Sequence, residues 1–208
     1  MWRIIFSNFI NFIIPSRGTE RTVAATSLEE LLALKISSSH TYGASLPYHT
    51  KEVTALVWEL KYYANAHATR LGGASLEEEL LSIASEEVGV PLLIPIPMHK
   101  KRRRSRGHNQ TEVLCKAALR NMKDTFTYAP HTLLRIRHTR PQQGLQKEAR
   151  LKNVENSMEV SAPSVVKGRT CVVVDDVATT GATLHEAQRA LLEAGAEKVY
   201  CVALAVSV

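Results

Sequence analysis

The stretch from Arg169 to Val206 constrains the fold more than any other part of this 208-residue chain. RTCVVVDDV is an apolar run rich in β-branched residues that ends in two acids. ATTGAT is a tight turn of small residues, LHEAQRALLEAG has helical apolar spacing and a closing Gly195, and KVYCVALAV is a second apolar run. Strand, helix and strand in this order make a βαβ unit, and strands that are apolar throughout are covered on both faces. PLLIPIP, at 91–97, is a third short apolar run closed by prolines. The alternation from Pro91 onward predicts an α/β fold with a mainly parallel central sheet flanked by helices.

Open parallel sheets bind ligands beyond the carboxyl ends of their strands, which is where the two acids and the turn fall. The amides of Ala178, Thr179, Thr180, Gly181, Ala182 and Thr183, with the three threonine hydroxyls, suit a phosphate held at a helix N-terminus. Gly181 lets the backbone approach closely. Asp175 and Asp176 are acceptors when ionised and suit the 2′ and 3′ hydroxyls of a ribose, directly or with Mg²⁺ nearby. A plain strand end, with Asp176 as a helix cap and the threonines in a turn, requires neither two adjacent acids nor three threonines around one glycine. No GxxxxGK[ST] or GxGxxG pattern is present, so mononucleotide P-loops and dinucleotide folds are set aside and the ligand class narrows to ribose 5-phosphates.

Charge is unevenly spread. Between Lys100 and Lys152 stand fifteen Lys or Arg and three acids, whereas the whole chain carries only +6. The densest part, HKKRRRSRGHNQ, directly follows the proline-closed run and reads as a basic loop, with Asn109 or Gln110 opening the next helix. A basic zone of this kind suits an anionic partner. Phe126 and Tyr128 are its only aromatic residues, which argues against strong single-strand binding by base stacking along the segment.

The remainder sets the frame. The first 18 residues are too short and too polar to span a bilayer, lack a clear signal-cleavage pattern and suit an amphipathic helix, so no integral membrane anchoring is expected. Residues 1–49 form a small N-terminal appendage with one helical patch opened by a Ser27/Glu30 capping box, and residues 50–208 form the main domain. Helices are expected from Lys51 and from Ser75 to about Val88. Cys115, Cys171 and Cys201 lie far apart and suit buried hydrophobic positions in a reducing cytoplasm, while His40, His49 and His67 read as surface or turn residues.

The T-T-G-x-T loop after two acids resembles the signature of the type I phosphoribosyltransferases. ELKYYANAHATRLGG, PIPMHKKRRRSRGHNQTEVL and RIRHTRPQQGLQKEARLKN extend the likeness to the ComF family of competence and gluconate-utilisation proteins, over about Tyr48 to Val206. The resemblance implies a type I phosphoribosyltransferase fold with a flexible hood loop, phosphoribosyl pyrophosphate as ligand, and Mg²⁺ held mainly by that ligand rather than by a protein metal site. It places a pyrophosphate loop on Pro97, Met98, His99 and Lys100, with Arg102, Arg103, Arg104 and Arg106 close behind; guanidinium donors suit a diphosphate independently. It places the hood on Arg137, Thr139, Gln143, Leu145, Arg150 and Asn153, and it includes Lys61 without giving that residue a role.

Two functions follow as expectations. One is transfer of the phosphoribosyl group to an acceptor, with Asp175 and Asp176 as the catalytic pair. The other is an adaptor in DNA uptake, binding single-stranded DNA or a DNA-uptake helicase through the basic zone. The family's four-cysteine zinc module is not expected here, because its place reads FIIPSRGTERT and no cysteine precedes Cys115.

Overall fold

A computed structural model of the chain describes residues 18–36, 43, 46–137 and 153–207. In chain order the elements are α1 (Gly18–Ala25), α2 (Leu28–Ala33), β1 (Leu46–Pro47), α3 (Lys51–Tyr63), α4 (Ala66–Glu86), β2 (Leu92–Pro95), α5 (Lys100–Arg106), α6 (Gln110–Ala118), β3 (Thr127–Tyr128), β4 (Leu133–Arg135), β5 (Met158–Val160), α7 (Pro163–Val166), β6 (Thr170–Ala178), α8 (Ala182–Glu193) and β7 (Lys198–Val206). The expected amphipathic helix of residues 1–17 lies outside the described residues.

Five strands form one parallel sheet in the order β1-β7-β6-β2-β3, and β4 pairs with β5 in a separate antiparallel ribbon. From β2 the chain passes through α6 to β3 on one side. From β6 it passes through α8 to β7 on the other. The adjacent strands β2 and β6 therefore lead in opposite directions, which opens a crevice between their carboxyl ends, the preferred ligand position in such sheets.

Each face of the sheet carries its own core. Val172 and Val174 of β6 pack with Leu56 and Leu60 of α3, Leu76 and Leu80 of α4, and Leu114 of α6. Cys171 and Val173 pack with Leu184, Ala187 and Leu191 of α8 and with Leu133 and Met158 of the ribbon. This alternation follows from the two-residue period of a strand. Val23, Leu31 and Leu46, from the N-terminal part of the chain, belong to the first core. All three cysteines are buried and free. At the far end of the strands, Glu87 accepts hydrogen bonds from Thr170 Oγ1 and Tyr200 Oη, both at 2.6 Å, and pairs with Lys198 at 2.7 Å, fixing the starts of β6 and β7.

The Ser27/Glu30 capping box is present, with reciprocal bonds of 3.2 and 2.8 Å. Two expectations are corrected. The second long helix begins at Ala66 rather than Ser75, because Asn65 caps it by accepting from the amides of His67 and Ala68, and it continues through Gly72 and Gly73. The segment after β2 is not a basic loop throughout. Lys100–Arg106 is helical, capped by the His99 ring at one end and turned off by Gly107 at φ 83° at the other.

Gly72 and Gly73 are what let α4 lie against α6. A Cβ on Gly73 would stand 2.6 Å from Ala117 Cβ and 2.9 Å from the backbone of Ala117 and Ala118, and backbone cannot move aside as a side-chain tip can. Gly73→Val is therefore expected to lower stability by roughly 3 kcal/mol through overpacking. Thermal unfolding checks this, and at about 2–4 °C per kcal/mol for a chain of this size the melting temperature falls by several degrees. Gly73→Ala is expected to be milder, since about 1 kcal/mol of helix propensity offsets the clash. An unchanged melting temperature for the valine variant would contradict the close approach.

Candidate functional site

Both expected ligand loops emerge at the crevice, one from β2 and one from β6. Near its end, β6 carries Asp175 and Asp176, which are 7% and 5% exposed. The ladder to β7 pairs Asp175 with Ala203 and Val177 with Ala205 but skips Asp176. The carboxylates turn back on the local backbone instead: Asp175 Oδ1 accepts from the Asp176 amide at 2.8 Å, and Asp176 Oδ1 accepts from the Val177 amide at 2.9 Å. The chain then leaves the sheet through Thr179 and Thr180 and enters α8 at Gly181, whose φ of 72° is a left-handed conformation suited to glycine. The N-cap residue Gly181 brings no side chain to the start of α8, and Thr180 Oγ1 accepts from the Ala182 amide at 3.4 Å. The first turn of α8 and the helix dipole face a concavity lined by Asp175, Ala178, Thr179, Gly181, Ala182 and Thr183.

Beside this junction lie α3, whose Lys61 reaches Asp176, and the segment after β2, whose Arg102 interacts with the same acid. Pro97, Met98 and His99 form the loop, and Lys100 begins α5. The root of this loop is fixed, since the Ile96 carbonyl accepts from Asn109 Nδ2 at 3.1 Å and from Thr111 Oγ1 at 2.7 Å. Arg102 and Arg106 share one face of α5 and are half-buried. The arginine cluster is not used as one unit. Arg103 forms a bidentate pair with Glu112 at 2.7 and 3.1 Å, and Arg104 is exposed.

The electrostatics centre on the acid pair. Burial, and then the charge of Asp176, push the Asp175 carboxyl up to about 7. Lys61 Nζ of α3, whose charge also draws the Asp175 carboxyl downward, lies 3.0 Å from Asp176 Oδ2. No donor is aligned on that oxygen as a regular hydrogen bond, so the contact is read as an ion pair. Burial pulls the Lys61 ammonium downward, but attraction to Asp176 outweighs it and the net direction is up. Burial lowers Arg102, assisted by neighbouring Arg106 and opposed by Tyr62 and Asp176. Burial also lowers Arg135 of β4, with Asp175 opposing it. Arg102 and Arg135 thus act on the acid pair from two separate elements.

Of the hood residues, Arg137 and Asn153 are described, and Arg137 donates to the Glu155 carbonyl. Thr139, Gln143, Leu145 and Arg150 lie outside the described residues. The β4–β5 ribbon is fastened to α8 by the buried Glu186, which accepts from the Met158 amide at 3.0 Å and pairs with Arg189 at 2.8 Å.

Three features of the crevice were not assigned from sequence. Lys61 and Arg135 each carried a signal: Lys61 falls four residues after buried Val57 and next to buried Leu60, and Arg135 two residues after buried Leu133. A charge at the edge of an apolar stripe requires a partner from elsewhere in the fold. The third brings aromatic residues to the basic zone from outside it. Trp58 and Tyr62 of α3 lie with centroids 4.8 Å apart and planes tilted by 35°, and the Arg106 guanidinium lies 4.9 Å from the Tyr62 ring centre. Aromatic residues are supplied to the basic helix by the fold rather than by its neighbours in sequence.

Two adjacent carboxylates, one already paired with an ammonium, make a poor cage for a divalent ion. They fit Mg²⁺ that arrives on a diphosphate and keeps phosphate and water oxygens around it. No helix among the described residues is long and apolar enough to cross a membrane.

Residues 112–208 match the family model described as a phosphoribosyl transferase domain. The chain is 31% identical over 164 residues to the DNA utilization protein YhgH of Salmonella typhi, covering 76% of this chain and 70% of that protein. It is 33% identical over 108 residues to the competence protein ComFC of Bacillus subtilis, covering 50% of this chain and 39% of that one. Among solved structures, an allosteric regulatory enzyme of purine biosynthesis aligns with a TM-score of 0.41 at 19% identity, over 71% of this chain and 30% of the enzyme.

Proposed function

Since this chain belongs to the ComF family of proteins with the type I phosphoribosyltransferase fold, we propose that it binds phosphoribosyl pyrophosphate with Mg²⁺ and transfers the phosphoribosyl group to a nucleophilic acceptor. The observation that carries this reading is the junction of β6 and α8, where two buried acids are followed within five residues by a helix that is entered through a left-handed glycine and faces a concavity with its first turn. The amides and hydroxyls of Thr179 to Thr183 hold the 5-phosphate. Asp175 and Asp176 accept from the ribose hydroxyls. Pro97 to Lys100 and Arg102 take the diphosphate. When bound, Mg²⁺ draws charge from the departing pyrophosphate.

The acceptor forms a bond to the anomeric carbon, while the bond from that carbon to the pyrophosphate oxygen breaks and the pyrophosphate leaves with the electron pair. The chain's contribution is position and electrostatic support. Buried free thiols accord with work in the reducing cytoplasm. The test is acceptor-dependent release of pyrophosphate across nucleobases, amines and nucleic-acid fragments. Release with one acceptor class supports transfer, and none with any class would leave the protein a ligand-binding adaptor.

The Trp58, Tyr62 and Arg106 cluster favours a second reading, in which the same protein engages single-stranded DNA, alone or with a DNA-uptake helicase. The names of relatives concerned with DNA utilization and competence accord with it. Bases stack on aromatic faces while exposed Lys100, Lys101 and Arg104 track phosphates. Trp2 and Trp58 are the chain's two tryptophans, so in a Trp2→Phe background the fluorescence reports on Trp58 alone. Oligothymidylate is expected to quench it at low salt, with the effect weakening as salt rises. Unchanged fluorescence at low salt would remove this reading.

A further inference from the structure

We propose that Lys61 is a positioning residue for the ribose, holding the Asp176 carboxylate from α3 by its Oδ2 so that Oδ1 is presented to a sugar hydroxyl. The inference rests on the phosphoribosyl reading of the site. A carboxylate offers about four lone-pair directions. In this structure Oδ1 accepts from the Val177 amide at 2.9 Å, and Oδ2 faces Lys61 Nζ at 3.0 Å. Oδ2 is closed to solvent against Lys61, so the acceptor direction left for a ribose hydroxyl is the second one on Oδ1.

Lys61 is itself held. The Leu60 carbonyl, one residue before it, accepts from His108 Nε2 at 2.8 Å, in the tautomer that carries the proton on Nε2. The helix stops three residues later at Ala64, which adopts a left-handed φ of 46° and donates its amide to the Glu59 carbonyl. Asn65 Nδ2 donates to the buried Glu59 side chain at 3.2 Å, and Thr19 Oγ1 donates to it at 2.7 Å. His108 belongs to the turn between α5 and α6, so the end of α3 is tied to the segment that follows the diphosphate loop. The turn that carries Lys61 is therefore braced from three directions.

Stability alone is a weak reason for such a pair. Side-chain exposures of 24% and 7% place it partly out of water, where removing two charges from solvent offsets most of their attraction and an apolar pair would serve as well. An oriented carboxylate at a ligand crevice has a use that an apolar pair does not.

The test uses the full chain with Mg²⁺ and compares Lys61→Met with wild type for three probes: phosphoribosyl pyrophosphate, ribose 5-phosphate and inorganic pyrophosphate. Because the effect passes through the sugar hydroxyls, Lys61→Met is expected to weaken the first two by the same factor, about tenfold or more, and to leave pyrophosphate affinity unchanged. Lys61→Arg is expected to restore most of the loss. In an Asp176→Asn background Lys61→Met is expected to add little, since the two substitutions remove one interaction. If ribose 5-phosphate affinity is unchanged, or pyrophosphate affinity falls as far as that of the full ligand, Lys61 does not position the sugar. If Lys61→Met does not fold, Lys61→Gln is judged by the same two outcomes. Failure of wild type to bind any of the three probes would instead count against the phosphoribosyl reading.

Discussion

Replacing Asp175 and Asp176 together by asparagine is expected to weaken binding of phosphoribosyl pyrophosphate by at least about 100-fold while leaving the protein folded. Each acid contributes a charge-assisted hydrogen bond to a ribose hydroxyl, worth about 1.5–3 kcal/mol. Two of them, at about 1.4 kcal/mol per factor of ten, give a hundredfold loss or more. The fold is expected to survive because asparagine oxygens still accept from the Asp176 and Val177 amides that the carboxylates now engage. Calorimetric titration of both proteins at one Mg²⁺ concentration checks the loss, with a thermal melt to confirm folding. Equal affinity in the double variant would remove the acids from the ligand site.

Asp175→Asn alone is expected to raise the stability of the ligand-free protein at pH 8. Burial and the neighbouring Asp176 lift the folded-state Asp175 carboxyl from an ordinary 3.8 to about 7. A group raised in this way contributes stability that is fully present below its unfolded pKa and lost as pH rises through the folded one. The window is thus from about pH 4 to about pH 7. Each pH unit between the two titrations is worth about 1.4 kcal/mol, so the loss is on the order of a few kcal/mol. Asparagine carries no charge at any pH and is expected to raise the melting temperature at pH 8 by several degrees, at about 2–4 °C per kcal/mol, with little change near pH 4. A binding site whose acid is unfavourable until the ligand arrives accounts for this opposition of stability and affinity. The same melting temperature for wild type and variant at both pH values would contradict the buried charge.

The elements most legible from sequence were those whose pattern is set by burial on both sides. β2, β6 and β7 are apolar runs bounded by turn residues, and α8 has clear helical spacing, so the parallel sheet and the position of the acid-bearing loop followed from local pattern. The two-residue strands β1 and β3 have no pattern long enough to read. Gly72 and Gly73 precede the expected helix start at Ser75, yet they lie inside α4, and α6 packs where their side chains would be. Lys100–Arg106 reads as a loop because its like charges repel in a helix. Its caps, His99 and Gly107, and the pairing of Arg103 with Glu112 hold it helical.

The same distinction applies to the crevice. Asp175, Asp176 and the Thr179–Thr183 loop are contiguous, and their chemistry is visible in the order of residues. Lys61 is 115 positions away from Asp176 and meets it only because α3 covers one face of β6. Arg135 acts from β4 and Trp58 from α3. Their residue types hinted at partners, but identifying those partners required the packing of helices and ribbon against the sheet.

The most direct test of the central claim, a ribose-diphosphate site at the carboxyl ends of β2 and β6, is calorimetric titration of the wild-type chain with phosphoribosyl pyrophosphate in the presence of Mg²⁺. Saturable binding of one ligand per chain, displaced by excess pyrophosphate, is the expected result. Absence of saturable binding up to about 1 mM, a level corresponding to roughly 4 kcal/mol, would contradict it.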